Sequence, residues 1–246
     1  VVGSITRDYD ARMALAISDD ELSSCVGCGL CLPHCPTFRV TGDEAMSPRG
    51  RIATIRRHQW DGVAFDDNTA HTLNTCIQCR GCEPACPSGV PYGRIIESAK
   101  QQLVADGLST PRWQRAMLSM LTRHRLLVLS TPLVSWASRL RLLPRRLVPT
   151  RIEATPGRAV TATSPDPDIW IFTGCVMDAW QRATHRSVAS IASALAITVG
   201  VPDGRGSCCG ALHSHQGLVD DARRMAISVI DSMPGTAPVV VDSAGC

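Results

Sequence analysis

Eight of the twelve cysteines in this 246-residue sequence fall into two short runs with identical spacing. Each run reads C-x2-C-x2-C-x3-C-P, and the two runs are Cys25–Pro36 and Cys76–Pro87. Thiolates are soft ligands that select zinc, copper(I) or iron–sulfur clusters. This spacing is the one that holds [4Fe-4S] clusters in bacterial two-cluster ferredoxins. Two copies with the same closing proline therefore predict two [4Fe-4S] clusters.

The order of the cysteines also predicts which cluster each one binds. In proteins with two such runs, the fourth cysteine of a run ligates the cluster of the other run. The first expected ligand set is Cys25, Cys28, Cys31 and Cys86. The second expected ligand set is Cys76, Cys79, Cys82 and Cys35. This crossing ties the two runs into one folded unit and places the clusters close enough to exchange electrons.

Three glycines, Gly27, Gly29 and Gly81, lie between the ligands. Glycine adopts positive φ without penalty, which lets backbone N–H groups approach sulfur. Hydrogen bonds to sulfur, burial and net charge together set the reduction potential of a cluster. We expect all three glycines to shape the loops in this way.

Zinc and disulfides are the two other common uses of cysteine. Structural zinc sites use separated C-x2-4-C pairs, whereas each run here places four cysteines within eleven residues. Disulfides need an oxidising compartment, and the sequence shows no signal peptide. Metal binding in a reducing cytoplasm is the better interpretation.

The remaining four cysteines form a second constellation: Cys175, Cys208, Cys209 and Cys246. Adjacent cysteines serve one site only on a bent loop, which Gly206 and Gly210 permit. Four thiolates from three loops make a candidate third iron–sulfur centre. Buried free cysteines, a zinc site and a redox-active pair remain alternatives. His213 and His215 are candidate proton carriers or bystanders.

The elements around the first two runs are predicted to be helical. Ser18–Glu21 is a capping box that starts a short helix. Ser47-Pro48 caps a helix to about Trp60, in which Ile52, Ile55 and Trp60 are expected to face the clusters. Four arginines of this region could offset cluster charge or form a solvated basic face: Arg49, Arg51, Arg56 and Arg57. The other predicted segments are a connector, 37–42, and two helices, 66–75 and 92–105.

Residues 107–152 contain nine arginines and no acidic residue. Within them, Leu126–Ala137 is apolar and is expected to be broken by Pro132. This segment is either a basic amphipathic surface for membrane lipid or a partner subunit, or an ordinary helical hairpin with solvated arginines. No apolar run is long enough to span a membrane, and 155–167 is predicted to be a linker.

The last part of the chain alternates between strand and helix patterns. Strands are predicted over 169–173, 197–201 and 239–241, with helices over 178–197 and 218–230. The predicted fold is therefore α+β and multidomain. It comprises a helical ferredoxin-type domain, 1–106, a basic helical linker, 107–167, and a βαβ cysteine-rich α/β domain, 168–246. The cysteines of the last domain follow strands, where ligands gather.

Several stretches resemble one family. Cys25–Ile52, with Cys31-Leu-Pro-His-Cys35 and Met46-Ser-Pro-Arg-Gly-Arg51, resembles the iron–sulfur subunit of glycolate oxidase (glycolate dehydrogenase). The second constellation, from Thr173 to Cys246, resembles that family's first CCG cysteine-rich domain. Iron–sulfur subunits of D-lactate, anaerobic glycerol-3-phosphate and heterodisulfide oxidoreductases are similar. Such proteins continue past the position of Cys246 into a second CCG domain, so this CCG domain is expected to be incomplete.

The resemblance implies electron transfer. A separate FAD-containing subunit would oxidise glycolate or D-lactate, and this chain would pass the electrons to a quinone or other membrane acceptor at the inner face of the cytoplasmic membrane. The sequence has no G-x-G-x-x-G fingerprint and no evident acid/base pair. We therefore expect no hydride-transfer site and no catalytic residue here.

Two competing functions remain open. The CCG centre could itself reduce a disulfide, as in heterodisulfide reductase-like enzymes. Alternatively, the chain could be a non-enzymatic iron–sulfur sensor that binds nucleic acid. No basic patch interleaved with aromatic residues is present, so we expect no nucleic-acid partner.

Overall fold

The computed structural model describes residues 15–108, 112–140, 160–202 and 208–243. Contacts divide the chain into two compact units. The first comprises residues up to Pro111 together with Leu212–Val219, and the second comprises Arg112–Ala211 with Asp220–Cys246. The first unit is mostly helical and the second contains a small parallel sheet, which confirms the predicted α+β class.

Within described residues 15–108, the first unit has five α-helices. They are α1 (Asp19–Ser23), α2 (Pro36–Thr41), α3 (Pro48–Asp61), α4 (Asp67–Asn74) and α5 (Tyr92–Ala105), with 3-10 turns at Leu32–His34 and Glu44–Met46. The hydrophobic core lies between α3, α4 and α5 and contains the fully buried side chains of Ile55, Leu73, Ile95 and Ile96. Both cysteine runs are loops that pack against this core.

Side-chain caps fix where these helices begin. Ser18 and Glu21 form the predicted capping box at α1. The Ser47 hydroxyl accepts from the backbone N–H of Gly50 at 3.0 Å, as expected for the start of α3.

Ile52 is buried in the core with Ile55, but Trp60 is half exposed and donates to Asp19 instead of joining the core.

Three local predictions were wrong. The expected connector 37–42 is helix α2, because Pro36 suits a first helical turn and Gly42, at φ 66°, closes the last. Pro132 lies inside a helix rather than ending one. The helix expected over 178–197 is broken at Gln181, whose backbone leaves the helical region.

The second unit begins with two helices, followed by the strands and helices of the sheet. The elements are α6 (Arg112–Thr122), α7 (His124–Arg139), β1 (Ile169–Phe172), α8 (Val176–Trp180), α9 (Arg182–Ala194), β2 (Val199–Gly200), α10 (Ala211–Ser214), α11 (Val219–Asp231) and β3 (Val239–Val241). Helix α10 spans the boundary in sequence between the two units. Among the described residues, no helix is long and apolar enough to cross a bilayer.

The three strands form a parallel sheet in the order β2-β1-β3. Trp170 pairs with Gly200 on one side and with Val239 on the other. The Asp168 carboxylate accepts from the backbone N–H of Thr198 at 2.8 Å, which ties the starts of β1 and β2 together. Because Phe172 pairs with Val241, the carboxyl ends of β1 and β3 lie side by side. Cys175 and Asp242 follow these ends, where a parallel sheet gathers its ligands.

Candidate iron–sulfur centres

A pocket in the first unit is lined by four cysteines. They are Cys35, Cys76, Cys79 and Cys82. The structure therefore brings together, in one cavity, three cysteines of the second run and the last cysteine of the first run. This is the set that the crossed pattern predicts for the second cluster.

The other set surrounds the first loop. Burial raises the pKa of Cys31, and the neighbouring Cys25 and Cys28 thiolates add to the rise, so the first three cysteines of the run lie close together. Cys86, the last cysteine of the second run, packs against the same core as Cys25 and Cys31. Each set has one exposed cysteine, Cys28 in the first and Cys79 in the second, but only the second set has buried ones, Cys35 and Cys82.

The two sites are neighbours. Burial raises the pKa of Cys82 to about 12, and the charges of Cys76 and Cys31 contribute to this rise. Cys31 belongs to the first set and Cys82 to the second, so a ligand of each candidate centre lies within electrostatic range of the other.

A buried arginine stands beside the second site. Arg51 is fully buried and donates to the backbone carbonyl of Thr72 at 2.9 Å and to the Thr37 hydroxyl at 3.2 Å. Burial alone would raise the pKa of Cys35, but a hydrogen bond with Thr37 and the charge of Arg51 outweigh it and lower that pKa. Arg51 thus favours the thiolate form of a candidate ligand.

The other arginines of α3 differ in environment. Arg49 is paired with Glu44 and donates to the backbone carbonyl of Gly27 at 2.9 Å. Arg56 donates to the carbonyls of Leu22 and Cys25. Arg57 is exposed. Both interpretations of this basic region therefore hold for different residues: Arg51 is a buried counter-charge, whereas Arg57 is solvated.

Two further groups near the second site were missed by sequence reasoning. Lys100, the sole lysine of the chain, is buried and donates through Nζ to the backbone carbonyls of Cys76, at 3.2 Å, and His215, at 3.0 Å. Burial lowers the pKa of Lys100. Tyr92, also buried, donates through its hydroxyl to Cys76 Sγ at 3.5 Å. Both residues occupy the inward face of α5. The helical periodicity of α5 in the sequence could have identified these two positions as inward-facing.

The two loops share a backbone conformation. Gly27 and Gly29 flank Cys28 with φ of 70° and 84°. At the corresponding places around Cys79, Gln78 and Arg80 both have φ of 54°. A left-handed residue other than glycine costs roughly 1–2 kcal/mol. Gly81 was expected to supply a positive φ in the second loop, and this was wrong. The residues with positive φ in that loop are Gln78 and Arg80.

Gln78 also tests whether the pocket at the second site fits a cluster. Its side chain is 7% exposed and lines the pocket with the four cysteines. Within the described part of the chain, neither its amide nitrogen nor its amide oxygen has a hydrogen-bond partner. Four thiols and an unpaired amide donor around one cavity suit an anionic, sulfur-rich group, so the residues present fit a [4Fe-4S] cluster.

The cysteines do not form a single-ion site. Across residues 15–108, 112–140, 160–202 and 208–243, no three His, Cys, Asp or Glu side chains converge tightly enough to hold one metal ion. A [4Fe-4S] cluster has a different requirement, because each thiolate binds a separate iron. The four cysteines accordingly surround a cavity rather than a point.

In the second unit, Cys175 follows β1 at the start of α8, and the structure brings it to Cys208. A hydrogen bond from Cys175 outweighs burial and lowers the pKa of Cys208 to about 7. Cys209 is half-buried beside Gly210, at φ 82°, where a Cβ would lie 2.7 Å from the carbonyl of Ala222. The predicted ligand Cys246 and the predicted hinge Gly206 lie outside the described residues.

The histidines divide between the units. His213 is buried and His215 half-buried in the segment that belongs to the first unit, and burial lowers the pKa of His215. In the second unit, His185 is fully buried, and its Nδ1 lies 2.5 Å from the Asp242 carboxylate just after β3. This pair was missed, because the two residues are far apart in sequence.

Comparisons with known proteins agree with this arrangement. A family model described as a 4Fe-4S dicluster domain matches residues 21–90, and one described as a cysteine-rich domain (CCG) matches residues 169–246. No solved structure matches the chain significantly.

Curated relatives match nearly the whole chain. The probable glycolate oxidase iron–sulfur subunit of Bacillus subtilis is 28% identical over 98% of this chain and 60% of its own length. The glycolate oxidase iron–sulfur subunit of Escherichia coli is 27% identical over 93% of this chain and 58% of its own length. A component of the dihydromethanophenazine:CoB–CoM heterodisulfide reductase of Methanosarcina barkeri is 23% identical over 98% of this chain and 59% of its own length.

The chain spans about 60% of the length of these relatives. All twelve of its cysteines lie within the residues that the two family models match. Over most of its length this protein is therefore similar to the glycolate oxidase iron–sulfur subunits, and it contains a 4Fe-4S dicluster domain followed by a cysteine-rich CCG domain.

Proposed function

We propose that this chain is the iron–sulfur electron-transfer subunit of an FAD-linked 2-hydroxy-acid dehydrogenase of the glycolate or D-lactate type. The observation that carries the proposal is the neighbourhood of Cys31 and Cys82, one from each cysteine set, in a single folded unit. Two redox centres side by side form a relay, whereas a sensor needs only one. The relatives named as glycolate oxidase subunits support the choice of substrate class.

The chain's own residues bind and tune the centres. We assign one centre to Cys25, Cys28, Cys31 and Cys86 and the other to Cys76, Cys79, Cys82 and Cys35. When bound, each [4Fe-4S] cluster would supply one-electron redox chemistry. Cys35 and Cys82 of the second centre are buried, and the buried cations Arg51 and Lys100 offset its negative charge.

The partners follow from this role. A separate FAD-containing subunit supplies electrons from the hydroxy acid, and a quinone or another membrane acceptor removes them. The site of action is the cytoplasmic face of the membrane. The second constellation, Cys175, Cys208, Cys209 and Cys246, is either a third centre or the acceptor end of the relay.

A surface on α6 and α7 supports contact with the membrane. Helix α7 has inverted polarity, since Thr131 and Ser135 are 3% and 5% exposed whereas Leu129 and Leu133 are 74% and 67% exposed. Large apolar side chains face outward on both helices, and we call them the hairpin surface: Trp113, Met117, Met120, Leu126, Leu129, Leu133, Trp136 and Leu140. They repeat every three or four residues and so share one face of each helix.

Charge selects anionic lipid as the occupant of the hairpin surface. Residues 107–152 carry nine arginines and no acidic residue. Tryptophan, leucine and arginine together are typical of segments that lie in the headgroup region of a bilayer. An acidic lipid surface matches both the apolar stripe and the excess positive charge.

A second candidate function is thiol–disulfide chemistry at Cys175 and Cys208. The observation in its favour is the pKa of Cys208, about 7, because a thiolate populated at neutral pH can attack a disulfide. In that step the thiolate forms a mixed disulfide and releases the other half of the substrate as a thiol. Attack by Cys175 then releases the second thiol and leaves a Cys175–Cys208 disulfide. The heterodisulfide reductase relatives support this alternative.

Iron and sulfide analysis of protein purified without oxygen, with low-temperature EPR, tests the first proposal. About eight irons and two reducible centres are expected, or about twelve irons if the CCG set holds a third. Dithionite-reduced protein should be reoxidised by a water-soluble quinone. Zinc in place of iron, or reduced centres that quinone does not oxidise, would overturn the relay function. Reduction of disulfides by iron-free protein would favour the alternative.

A further inference from the structure

Gln78 combines two unfavourable features that the protein alone does not explain. Its backbone is left-handed, at φ 54°, although it is not glycine. Its side-chain amide is buried, and within the described residues neither the nitrogen nor the oxygen is paired. Buried polar groups nearly always have a partner. An unpaired amide held in a strained loop therefore points to a partner that occupies the pocket.

The pocket identifies the chemistry of that partner. Gln78 lies between Cys76 and Cys79 in sequence and lines the cavity that these two share with Cys35 and Cys82. The sulfide and thiolate sulfurs of an iron–sulfur cluster are hydrogen-bond acceptors, and hydrogen bonds to them raise the reduction potential. Among the described residues, the amide nitrogen of Gln78 is a donor without an acceptor.

The first loop has no equivalent group. Gly27 occupies the matching position, with the same left-handed backbone and no side chain. Its neighbouring cation, Arg49, is already paired with Glu44. Each loop has a cation at the carbonyl of its first cysteine, Arg56 at Cys25 and Lys100 at Cys76, but the second loop also has the Tyr92 hydroxyl on Cys76 Sγ. The two sites thus differ in their supply of donors, and Gln78 is the donor still to be satisfied.

We propose that the Gln78 side chain donates a hydrogen bond from Nε2 to a sulfur of the centre held by Cys35, Cys76, Cys79 and Cys82. This bond makes that centre the more easily reduced of the pair. The inference rests on the proposed function, since it requires a cluster in the pocket. Gln78 is a tuning residue and not a ligand, so its removal should leave the iron content unchanged.

Redox titration followed by EPR tests this assignment in two variants. Gln78→Leu keeps the approximate volume of the side chain and removes the donor. Gln78→Gly removes the donor and also relieves the left-handed backbone. In both variants the more positive of the two midpoint potentials should shift to a more negative value, while the other stays unchanged. Gln101→Leu, the same replacement on α5 away from the pocket lining, should shift neither potential.

A direct measurement separates the hydrogen bond from a general effect on the loop. Protein labelled with 15N in the glutamine side chains should show a 15N coupling to the reduced centre in pulsed EPR, and Gln78→Gly should lose it. Unchanged potentials in both Gln78 variants, equal shifts of both potentials, or no coupling in the native protein would each overturn the inference. If Gln78→Leu loses iron, the midpoint potentials and the 15N coupling of the Gln78→Gly variant decide whether the hydrogen bond exists. Absence of four-iron centres from the native protein would instead refute the proposed function.

Discussion

Cys35, the last cysteine of the first run, lines the same pocket as Cys79, the central cysteine of the second run. Forty-three residues lie between them in sequence. The pocket is completed by Cys76 and Cys82, so one run contributes three thiols and the other one. This arrangement is the one that crossed ligation leads us to expect, and we propose crossed ligation for this chain.

Crossed ligation predicts which serine variants resemble one another. Cys35→Ser should weaken or abolish the same EPR signal as Cys79→Ser, because both remove a ligand of the second centre. Cys28→Ser should affect the other signal. Each variant should lose up to about four irons and keep the rest. Uncrossed ligation predicts instead that Cys35→Ser resembles Cys28→Ser, so the comparison of the three spectra decides.

The glycines of the two loops form a graded series for backbone strain. Gly29→Ala combines φ of 84° with a Cβ 2.7 Å from Arg49 Nη1 and 2.9 Å from Leu32 Cδ1. It should destabilise the first unit by at least about 1–2 kcal/mol, the usual cost of a left-handed residue with Cβ. The measurement is the midpoint of thermal unfolding of the iron-loaded protein.

Two matched variants separate strain from collision. Gly27→Ala has φ of 70° but open space around the new Cβ, so it should cost less than Gly29→Ala. Gly81→Ala has no positive φ, and its Cβ would be 3.4 Å from the nearest atom, so it should be nearly neutral. A Gly81→Ala effect as large as that of Gly29→Ala would contradict this account.

Local signals made much of the first unit predictable. The capping box at Ser18, the Ser47-Pro48 cap and the apolar spacing of α5 act over single helical turns, and the elements appeared where those signals placed them. The cysteine spacing likewise predicted the set of four cysteines, Cys35, Cys76, Cys79 and Cys82, that lines one pocket in the structure.

The misses depend on distant contacts. Gln78 adopts a conformation that propensity assigns to glycine, in a loop whose cysteines are anchored on the core. Lys100 is buried because the backbone carbonyls of Cys76 and His215, remote in sequence, accept hydrogen bonds from its ammonium group. Helix α7 continues through Pro132 with its apolar side outward, contrary to the pattern of a core helix.

The pKa of Cys208 predicts a pH profile for the metal-free protein. A lowered pKa keeps the thiolate populated at lower pH, and the thiolate is the species that reacts with an alkylating agent. The rate of Cys208 alkylation by iodoacetamide, followed by peptide mass spectrometry, should be half its plateau near pH 7. Cys82, whose pKa is raised to about 12, should stay unreactive throughout this range.

The cause of the shift can be tested separately. Cys175→Ala removes the hydrogen bond that lowers the pKa of Cys208, so the half-point should move upward, toward the ordinary thiol value of 9.0. At pH 7 the variant should therefore alkylate more slowly than the native protein. An unchanged profile in Cys175→Ala would show that some other group stabilises the thiolate.

The hairpin surface should bind vesicles that contain anionic lipid. Burial of apolar side chains and attraction of the arginines both contribute, so binding should weaken at high salt and be poor on neutral vesicles. Replacing Leu129 and Leu133 together by aspartate should reduce partitioning at least about tenfold, because burial of even one leucine is worth about 1.5–3 kcal/mol. Vesicle flotation measures the bound fraction.

Two exposed apolar residues outside the hairpin surface provide the control. Ile191 and Leu195, on and just after α9, are 62% and 65% exposed, comparable to Leu133 at 67%. Their double aspartate variant introduces the same charge and removes similar apolar area, but it should bind vesicles like the native protein. Equal losses in both double variants would mean that added negative charge alone weakens binding. Retained binding of the Leu129→Asp/Leu133→Asp protein would show that the exposed leucines of α7 do not enter the bilayer and would assign that face to a protein partner.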